Sequence, residues 1–298
     1  MTEISTVQNE NIIELENVSY IYGKGTPFEK KALDSFSAKL ERGTVTGIIG
    51  HTGSGKSTLV QMLNGLIKPS EGTVRFCGRD IWADPKKLRE LRFKIGLVFQ
   101  YPEYQLFEES VRKDIEFGPR NMGLSEEEIK KRVLKAASFS DIDISLLDKS
   151  PFDLSGGQKR RCAIAGVMAM EPEVLILDEP AAGLDPYGRS EIFNGIVSYR
   201  NETDSTVIIV SHSMEDIAKY CDRILVVSDG KKIQYGTREQ IFAHPDILCS
   251  IGLDIPRITK LVSILCDRGI DIPRDIFTVE RAVNELLPLL SGKERADD

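Results

Sequence analysis

The chain has 298 residues, 41% of them hydrophobic and 29% charged, a composition typical of an ordinary globular protein. This length allows one large α/β domain with a modest extension. The net charge of −7 argues against a nucleic-acid partner. The longest uncharged apolar run, nine residues at 162–170, is too short to span a bilayer. Any work at a membrane therefore needs another chain to supply the membrane part.

Two strands are predicted near the start of the chain, at residues 12–18 and 36–40, after a polar lead without a secretion signal. The turn-rich segment 22–27 between them predicts a projecting loop. Its first residue, Tyr22, has two interpretations that the residues themselves leave open. The ring can lie against an adenine base, or it can pack at the end of the strand.

The segment 50–57 reads G-x-x-x-x-G-K-S and lies between a predicted buried strand at 45–49 and a predicted helix. Strand, glycine loop and helix are the context that a phosphate-binding loop requires. The candidate phosphate-binding residues are Gly50, His51, Thr52, Gly53, Ser54, Gly55, Lys56, Ser57 and Thr58.

The residue types in this loop suit phosphate chemistry. Glycines let the backbone curl so that successive N–H groups point at the anion, and the positive end of the following helix adds to that field. Lys56 is expected to reach the β- and γ-phosphates, and the Ser57 hydroxyl to bind Mg²⁺. The sequence therefore predicts a site for a nucleoside triphosphate.

Further along the chain, strands and helices alternate. Strands are predicted at 73–76, 95–99, 174–177, 206–210 and 223–227, and helices near 85–92, 187–200 and 213–221. A capping box at 125–128 opens another helix, and 101–160 is expected to be mostly helical. The continuous apolar strands predict a doubly wound α/β sheet. Ligands of such sheets bind beyond the carboxyl ends of the strands.

The β pattern stops at a second capping box, at residues 237–240. Apolar residues at helical spacing then predict two amphipathic helices, near 258–265 and 279–290. We therefore divide the chain into a domain at 11–236 and a helical extension with a solvated tail at 237–298.

Two further segments place chemical groups at strand or helix ends. Asp178 ends an apolar strand and is a candidate Mg²⁺ partner of Ser57, and Glu179 is placed to orient the attacking water or to accept its proton. The second segment is a glycine-rich loop before a predicted helix and consists of Ser155, Gly156, Gly157 and Gln158. This loop is either a second phosphate clamp or a plain N-cap with a hinge, and in isolation its sequence favours the cap.

Together these motifs resemble those of the ATP-binding-cassette ATPases in order and spacing. The matching positions, all within residues 11–236, are segments 50–57, 154–158, 174–179 and 184–185 together with Gln100 and His212. The resemblance implies a P-loop NTPase fold with a β-rich subdomain, an inserted helical subdomain at about 101–160 and Mg²⁺-dependent ATP hydrolysis.

The same resemblance implies roles for individual residues. Tyr22 is expected to stack on adenine, Gln100 to contact Mg²⁺ and the water, and His212 to contact the γ-phosphate. The loop 154–158 of one subunit is expected to close on ATP held by the phosphate-binding loop of another, with Asp185 communicating between the two sites. The implied catalytic residues are Lys56, Gln100, Glu179 and His212, and the implied Mg²⁺ ligands are Ser57, Gln100 and Asp178.

A narrower resemblance, to the ATPase subunits of energy-coupling-factor transporters, lies in segments 100–107, 115–119 and 181–186. These transporters import vitamins and transition-metal ions, and segments 50–53 and 100–104 resemble the second of two paralogous ATPase types. The resemblance implies a peripheral protein at the cytoplasmic face of the cell membrane. Its implied partners are a second cassette, a transmembrane coupling subunit and, indirectly, a substrate-binding membrane subunit.

The apolar stretch at 101–110 has two interpretations. Its large side chains, Tyr101, Tyr104, Leu106 and Phe107, either anchor the helical subdomain or form the docking surface for the coupling subunit. The position directly after Gln100 favours docking.

The alternative function is that of a soluble cassette ATPase with a non-transport partner, such as iron–sulfur cluster assembly. The sequence leaves open the transported solute, the equality of the two ATP sites, and the choice between a homodimer and a heterodimer.

Overall fold

The computed structural model describes residues 11–290. The strands, in chain order, are β1 (Asn11–Tyr22), β2 (Lys30–Glu41), β3 (Val45–Ile49), β4 (Glu71–Phe76), β5 (Arg79–Asp80), β6 (Ile95–Val98), β7 (Val174–Asp178), β8 (Thr206–Val210), β9 (Arg223–Ser228) and β10 (Lys231–Thr237). The α-helices are α1 (Lys56–Leu63), α2 (Leu88–Lys94), α3 (Val111–Asn121), α4 (Glu126–Phe139), α5 (Gly156–Met168), α6 (Pro186–Thr203), α7 (Met214–Tyr220), α8 (Arg238–Phe242), α9 (Pro245–Ser250), α10 (Arg257–Asp267) and α11 (Val279–Leu290). The predicted polar lead and solvated tail lie outside the described residues.

The larger sheet has the strand order β10-β9-β3-β8-β7-β6 and is parallel except for β10. All five residues of its central strand β3 are buried. Ile49 of this strand packs in one hydrophobic cluster, with residues of α3 to α6, and its neighbour Ile48 packs in another, with residues of β1 and β2. The sheet is therefore covered on both faces, as its continuous apolar strands predicted.

The smaller sheet is antiparallel, with the order β2-β1-β4-β5. Its inward residues Ile13, Phe36 and Val74 share a cluster with Leu59 of α1. Tyr22, which was predicted to open a loop, is instead the last residue of β1, because it pairs with Lys30 of β2. This pairing holds the tyrosine beside the start of α1.

The segment predicted to be helical contains α3, α4 and the start of α5, and α5 continues past residue 160 to Met168. Each of these helices contributes to the hydrophobic cluster that covers one face of the larger sheet, for example through Val111, Ile129 and Ile164. Ser110, Ser125 and Ser155 cap these helices through their side chains. Serine at the N-cap satisfies backbone N–H groups that have no partner within the helix.

After β9 the chain forms β10 and then four helices, α8 to α11. Sequence analysis did not identify β10, because most of its residues are exposed or half-buried and give no alternating apolar pattern. A separate small hydrophobic cluster joins the last two helices. It contains Val262 of α10 and Ala282 of α11 together with Ile272 and Ile276. Within the described range no helix has the length and apolarity needed to cross a bilayer.

Candidate active site

A cleft of about 360 Å³ lies at the carboxyl ends of β3, β7 and β8. It brings together most of the residues that the sequence predicted for one site: Tyr22, Thr52, Gly53, Gly55, Lys56, Ser57, Thr58, Gln100, Asp178, Glu179 and His212. These residues come from five separate parts of the chain. Four of the parts meet because the parallel strands end at the same edge of the larger sheet, and Tyr22 is contributed by β1 of the smaller sheet.

Glycine is required at two positions of the loop between β3 and α1. A Cβ atom on Gly55, whose φ is +106°, would lie 2.5 Å from the carbonyl oxygen of Ala32. A Cβ atom on Gly50 would lie 2.3 Å from the carbonyl oxygen of Val227. The loop can therefore keep this tight curl only with glycine at both positions.

The Lys56 side chain is buried under this loop. Its Nζ donates hydrogen bonds to the carbonyl oxygens of Gly50, at 2.6 Å, and His51, at 3.0 Å. Burial lowers the pKa of Lys56, although the carboxyls of Glu179 and Asp178 partly offset that effect. The ammonium group is thus held between the loop and two acidic side chains.

Asp178 and Glu179 follow one another at the end of β7. Burial raises the pKa of Asp178, and a hydrogen bond from Ser57 partly offsets it. Burial, and then the charge of Asp178, raises the pKa of Glu179 to about 7. Glu179 also has a left-handed φ of +53°, and its N–H donates to Val210 of β8 at 3.0 Å. Strain of this kind in a non-glycine residue is characteristic of functional sites.

His212 lies beside Glu179, just after β8. The distance from its Nε2 to Glu179 Oε1 is 3.6 Å, which is too long for a hydrogen bond. Burial and the charge of Lys56 lower the pKa of His212, so its imidazole is mainly neutral at neutral pH. Among the described residues Glu179 Oε1 has no hydrogen-bond partner although it is buried. A buried polar atom of this kind is expected to meet a ligand or water.

Tyr22 forms the wall of the cleft opposite the acidic pair. Its hydroxyl hydrogen-bonds with Thr58 Oγ1 at 3.1 Å, and 42% of the residue surface is exposed. Tyr20 meets the ring edge-on, with 4.8 Å between ring centroids. A tethered ring with an exposed surface is suited to stacking against a planar base.

The Ala32 carbonyl docks the end of the smaller sheet onto the phosphate-binding loop. It approaches Gly55, as described above, and a Cβ atom on Gly230 would lie 2.7 Å from the same oxygen. Gly230 also donates its N–H to Ser54 at 2.9 Å and accepts one from Asp34 at 3.0 Å. The two walls of the cleft are therefore locked together through backbone contacts.

The other predicted residues of the phosphate-binding loop lie beside the cleft. Ser54 is fully buried, and its Oγ has no hydrogen-bond partner among the described residues. His51 points toward the end of β9, where its Nε2 lies 3.3 Å from Ser228 Oγ. Lys30, Ala32 and Val210 line the cleft but were not predicted, because no local motif marks them.

The second glycine-rich loop, residues 154–158, does not line the cleft. Ser155 Oγ accepts the N–H of Gln158 at 3.3 Å, and Gln158 Oε1 accepts the N–H of Ser155 at 3.0 Å. The N-cap that the sequence favoured is therefore present, as a reciprocal capping box. Ser155 and Gly156 are nevertheless exposed, so the start of α5 is open to another molecule.

Comparison with known proteins agrees with this geometry. The ABC transporter family model matches residues 33–182. The chain is 54% identical over 284 residues to the energy-coupling factor transporter ATP-binding protein EcfA2 of Clostridium acetobutylicum, covering 95% of this chain and 99% of the relative. It is 47% identical to the EcfA2 protein of Listeria monocytogenes serovar 1/2a, over 94% of this chain and 98% of that one.

Two solved structures extend the comparison. CbiO1 of Clostridium perfringens, described as part of the ABC transporter complex cbiONQ, has 43% identity and a TM-score of 0.73, covering 85% of this chain and 99% of that one. The ATP-binding cassette MJ0796, a dimer in a post-hydrolysis state with ADP and Pi, has 28% identity and a TM-score of 0.69, covering 76% of this chain and 98% of that one.

The fold, the cleft and these matches define an ABC transporter ATPase, and the chain belongs to that family. Within the family it belongs with the ATP-binding proteins of energy-coupling factor transporters, so its activity is ATP hydrolysis coupled to transport. The alternative of a cassette that serves iron–sulfur assembly is therefore set aside.

Proposed function

We propose that this chain hydrolyses ATP in a pair of cassettes that drives an importer for a vitamin or a transition-metal ion at the cytoplasmic face of the cell membrane. The observation that carries the proposal is the cleft in which the phosphate-binding loop, two buried carboxyls and a histidine meet at one edge of the sheet. The EcfA2 relatives support the transporter type.

Mg²⁺, when bound, supplies the positive charge that neutralises the triphosphate. Ser57, Gln100 and Asp178 would hold it, since all three line the cleft and offer the oxygen ligands that Mg²⁺ prefers. Lys56 and the backbone N–H groups of the loop bind the β- and γ-phosphates. The tight curl at Gly50 and Gly55 fits this role, because a side chain at either position would push the backbone out of its shape.

Glu179 orients the attacking water or accepts its proton, and His212 contacts the γ-phosphate. The support for Glu179 is its buried Oε1 at the edge of the cleft, which has no hydrogen-bond partner within residues 11–290. Glu179 Oε1 lies 3.6 Å from His212 Nε2, so the two side chains are close enough to contact the same reacting group. Tyr22 stacks on adenine at the opposite end of the cleft.

The loop 154–158 completes the ATP site of a second cassette rather than that of its own chain. The supporting observation is that it is exposed at the start of α5 and lies outside the cleft. Backbone N–H groups at a helix N-terminus attract phosphate. The dimeric state of MJ0796 is consistent with such a pair.

Replacing Ser155 with arginine tests the composite site. Ser155→Arg places bulk and positive charge where Lys56 of the partner cassette would approach, so ATP turnover should be abolished. ATP binding by the isolated chain should remain near normal, because Ser155 lies outside its cleft. Both are measured on the full-length chain, alone and with its partner cassette. Normal turnover by Ser155→Arg would rule out the composite site.

The segment 101–110 forms the docking surface for a transmembrane coupling subunit. Tyr104 is 84% exposed, Phe107 59% and Tyr101 50%. The rings of Tyr101 and Tyr104 lie 6.3 Å apart, and the ring of Phe107 meets that of Phe117 edge-on at 5.0 Å, so the segment presents aromatic side chains to the solvent. Leu106 differs from them, because it is half-buried and packs against the main hydrophobic cluster. The segment thus combines an internal anchor with an exposed aromatic face.

Tyr104→Asp is the sharpest test of this surface, since the side chain is exposed and the substitution introduces a charge. The variant should lose copurification with the membrane subunit from detergent-solubilised membranes while keeping the thermal stability and ATP binding of the parent. Ile144→Asp is the matched control, because Ile144 is 65% exposed elsewhere on the helical part. Undiminished copurification of Tyr104→Asp would contradict the docking proposal.

A further inference from the structure

Arg160, in the first turns of α5, is a buried arginine that contacts two other segments of the chain. Its side chain is 4% exposed. Nε and Nη2 donate to the two carboxylate oxygens of Glu103 at 3.1 and 2.9 Å, and Nη1 donates to the carbonyl oxygen of Ala182. The guanidinium carbon also lies 5.9 Å from the centre of the Tyr101 ring. Such a group has its orientation fixed from several directions.

Stability alone is a weak explanation for this arrangement. A buried ion pair is expensive to desolvate, and replacing one with apolar side chains of similar volume is often neutral or stabilising. The ion pair instead fixes the relative orientation of the two side chains, since the planar guanidinium group of Arg160 meets Glu103 in one orientation only. The matched neighbour is Arg161, whose contact with Asp141 at 3.2 Å is a partly exposed surface pair.

Each segment that Arg160 joins has a place in the proposed function. Glu103 lies in the docking surface three residues after Gln100. Arg160 itself lies two residues after Gln158, which is the last residue of the exposed glycine-rich loop. Ala182 lies between Glu179 and Asp185. One buried side chain therefore connects the docking surface, the loop for the partner cassette and the strand end that bears the proposed base.

We propose that Arg160 is a positioning residue that keeps the loop 154–158 in register with the docking surface and with the segment after Glu179. The inference rests on the proposed composite site. Loss of the Arg160–Glu103 contact lets these segments move independently, so the pair of cassettes closes less often in the reactive geometry. ATP binding by the open chain is unaffected, because neither residue lines the cleft.

Glu103→Gln and Arg160→Lys are the primary variants. Glutamine removes the charge of Glu103 but keeps its length, and lysine keeps the charge of Arg160 but cannot reach Glu103 and Ala182 together. With the full-length chain and its partner cassette, each should lower kcat by about tenfold, since small misplacements of reacting groups cost up to about 10²-fold. The Kd for ATP should stay within about twofold of the parent. Arg161→Gln, the control, should keep the parental kcat.

The double variant Glu103→Leu with Arg160→Met separates positioning from stability. Apolar replacement of both partners should leave the thermal unfolding temperature near that of the parent or above it. Its kcat should nevertheless fall by about tenfold, and by less than the product of the two single effects, because both partners serve one contact.

The outcomes are distinct. A double variant that turns over ATP within about twofold of the parent would overturn the proposal, as would an equal loss in Arg161→Gln. If Glu103→Gln lowers the unfolding temperature but not kcat below that temperature, Arg160 has a structural role only. Ser155→Arg, assayed in parallel, reports on the composite site itself. If Ser155→Arg is inactive while the apolar double variant is fully active, the positioning role of Arg160 is refuted and the composite site is not.

Discussion

Loops 50–57 and 154–158 both place glycines at the start of a helix, but their surroundings differ. In the first loop a buried lysine, two buried carboxyls and the Ala32 carbonyl enclose the backbone. In the second, Ser155 and Gln158 cap their own helix, and a Cβ atom on Gly156 would have no neighbour within 4 Å in the described part of the chain. The first loop is complete within one chain, whereas the second has open space on the side that a partner would fill. Similar glycine patterns therefore correspond to a closed site in one case and, in the composite site proposed above, to half of a site in the other.

The largest expected effect tests the enclosed site. Glu179→Gln should lower kcat by about 10²–10⁴-fold, the usual contribution of a general base. ATP binding should persist, and the unfolding temperature should not fall, because burial already disfavours the charge of this carboxyl. Single-turnover ATP hydrolysis and nucleotide binding are the measurements, with any active paralogue in the other site inactivated first. Turnover within a few-fold of the parent would remove Glu179 from the reaction.

An intermediate effect tests the open loop. Gly156→Val adds a side chain whose Cβ atom has open space around it within residues 11–290, so folding and ATP binding should be unchanged. Turnover should fall by about tenfold or more if the phosphate of a partner-bound ATP approaches the same space. Gly55→Ala is the contrast, because its Cβ would collide with Ala32 and should abolish ATP binding itself. If Gly156→Val were fully active, the loop would not face a ligand.

The sequence predicts those features of the two loops that depend on neighbouring residues, and it does not predict those that depend on residues far apart in the chain. The phosphate-binding loop and the Asp178–Glu179 pair are contiguous and end apolar strands, so their chemistry and their common edge of the sheet could both be predicted. The inward direction of Leu106 could not be, since an apolar run in a turn carries no periodicity. The Arg160–Glu103 pair spans 57 positions, and no pattern in either segment indicates the other.

The smallest expected effect concerns Asp114, at the base of the docking surface. Its Oδ1 accepts the N–H groups of Phe107 and Glu108, at 3.2 and 3.3 Å, and burial raises the pKa of the carboxyl. Because the folded pKa is higher than the unfolded one, ionisation of Asp114 lowers the free energy of unfolding as pH rises above about 4. Asparagine keeps the acceptor and removes the charge.

Asp114→Asn should therefore gain stability relative to the parent between about pH 4 and about pH 7, by no more than about 1 kcal/mol. Urea unfolding of both proteins across that range measures the difference. If the stability gained by Asp114→Asn becomes smaller as the pH rises, the carboxylate form of Asp114 stabilises the turn, and the prediction is wrong. Asp148→Asn is a suitable control, because its carboxyl is exposed and its pKa is lowered by Arg112.

The contact of the Ala32 carbonyl with Gly55 and Gly230 has a mechanical consequence. The tyrosine-bearing wall and the phosphate-binding loop behave as one rigid body, because bending between them would break close backbone packing. A swing of the helical part against that body must then be absorbed in the two connections that join it to the larger sheet. These connections contain Tyr101 and Glu171, both with left-handed backbone angles, so we expect the hinge to lie there, next to the proposed docking surface.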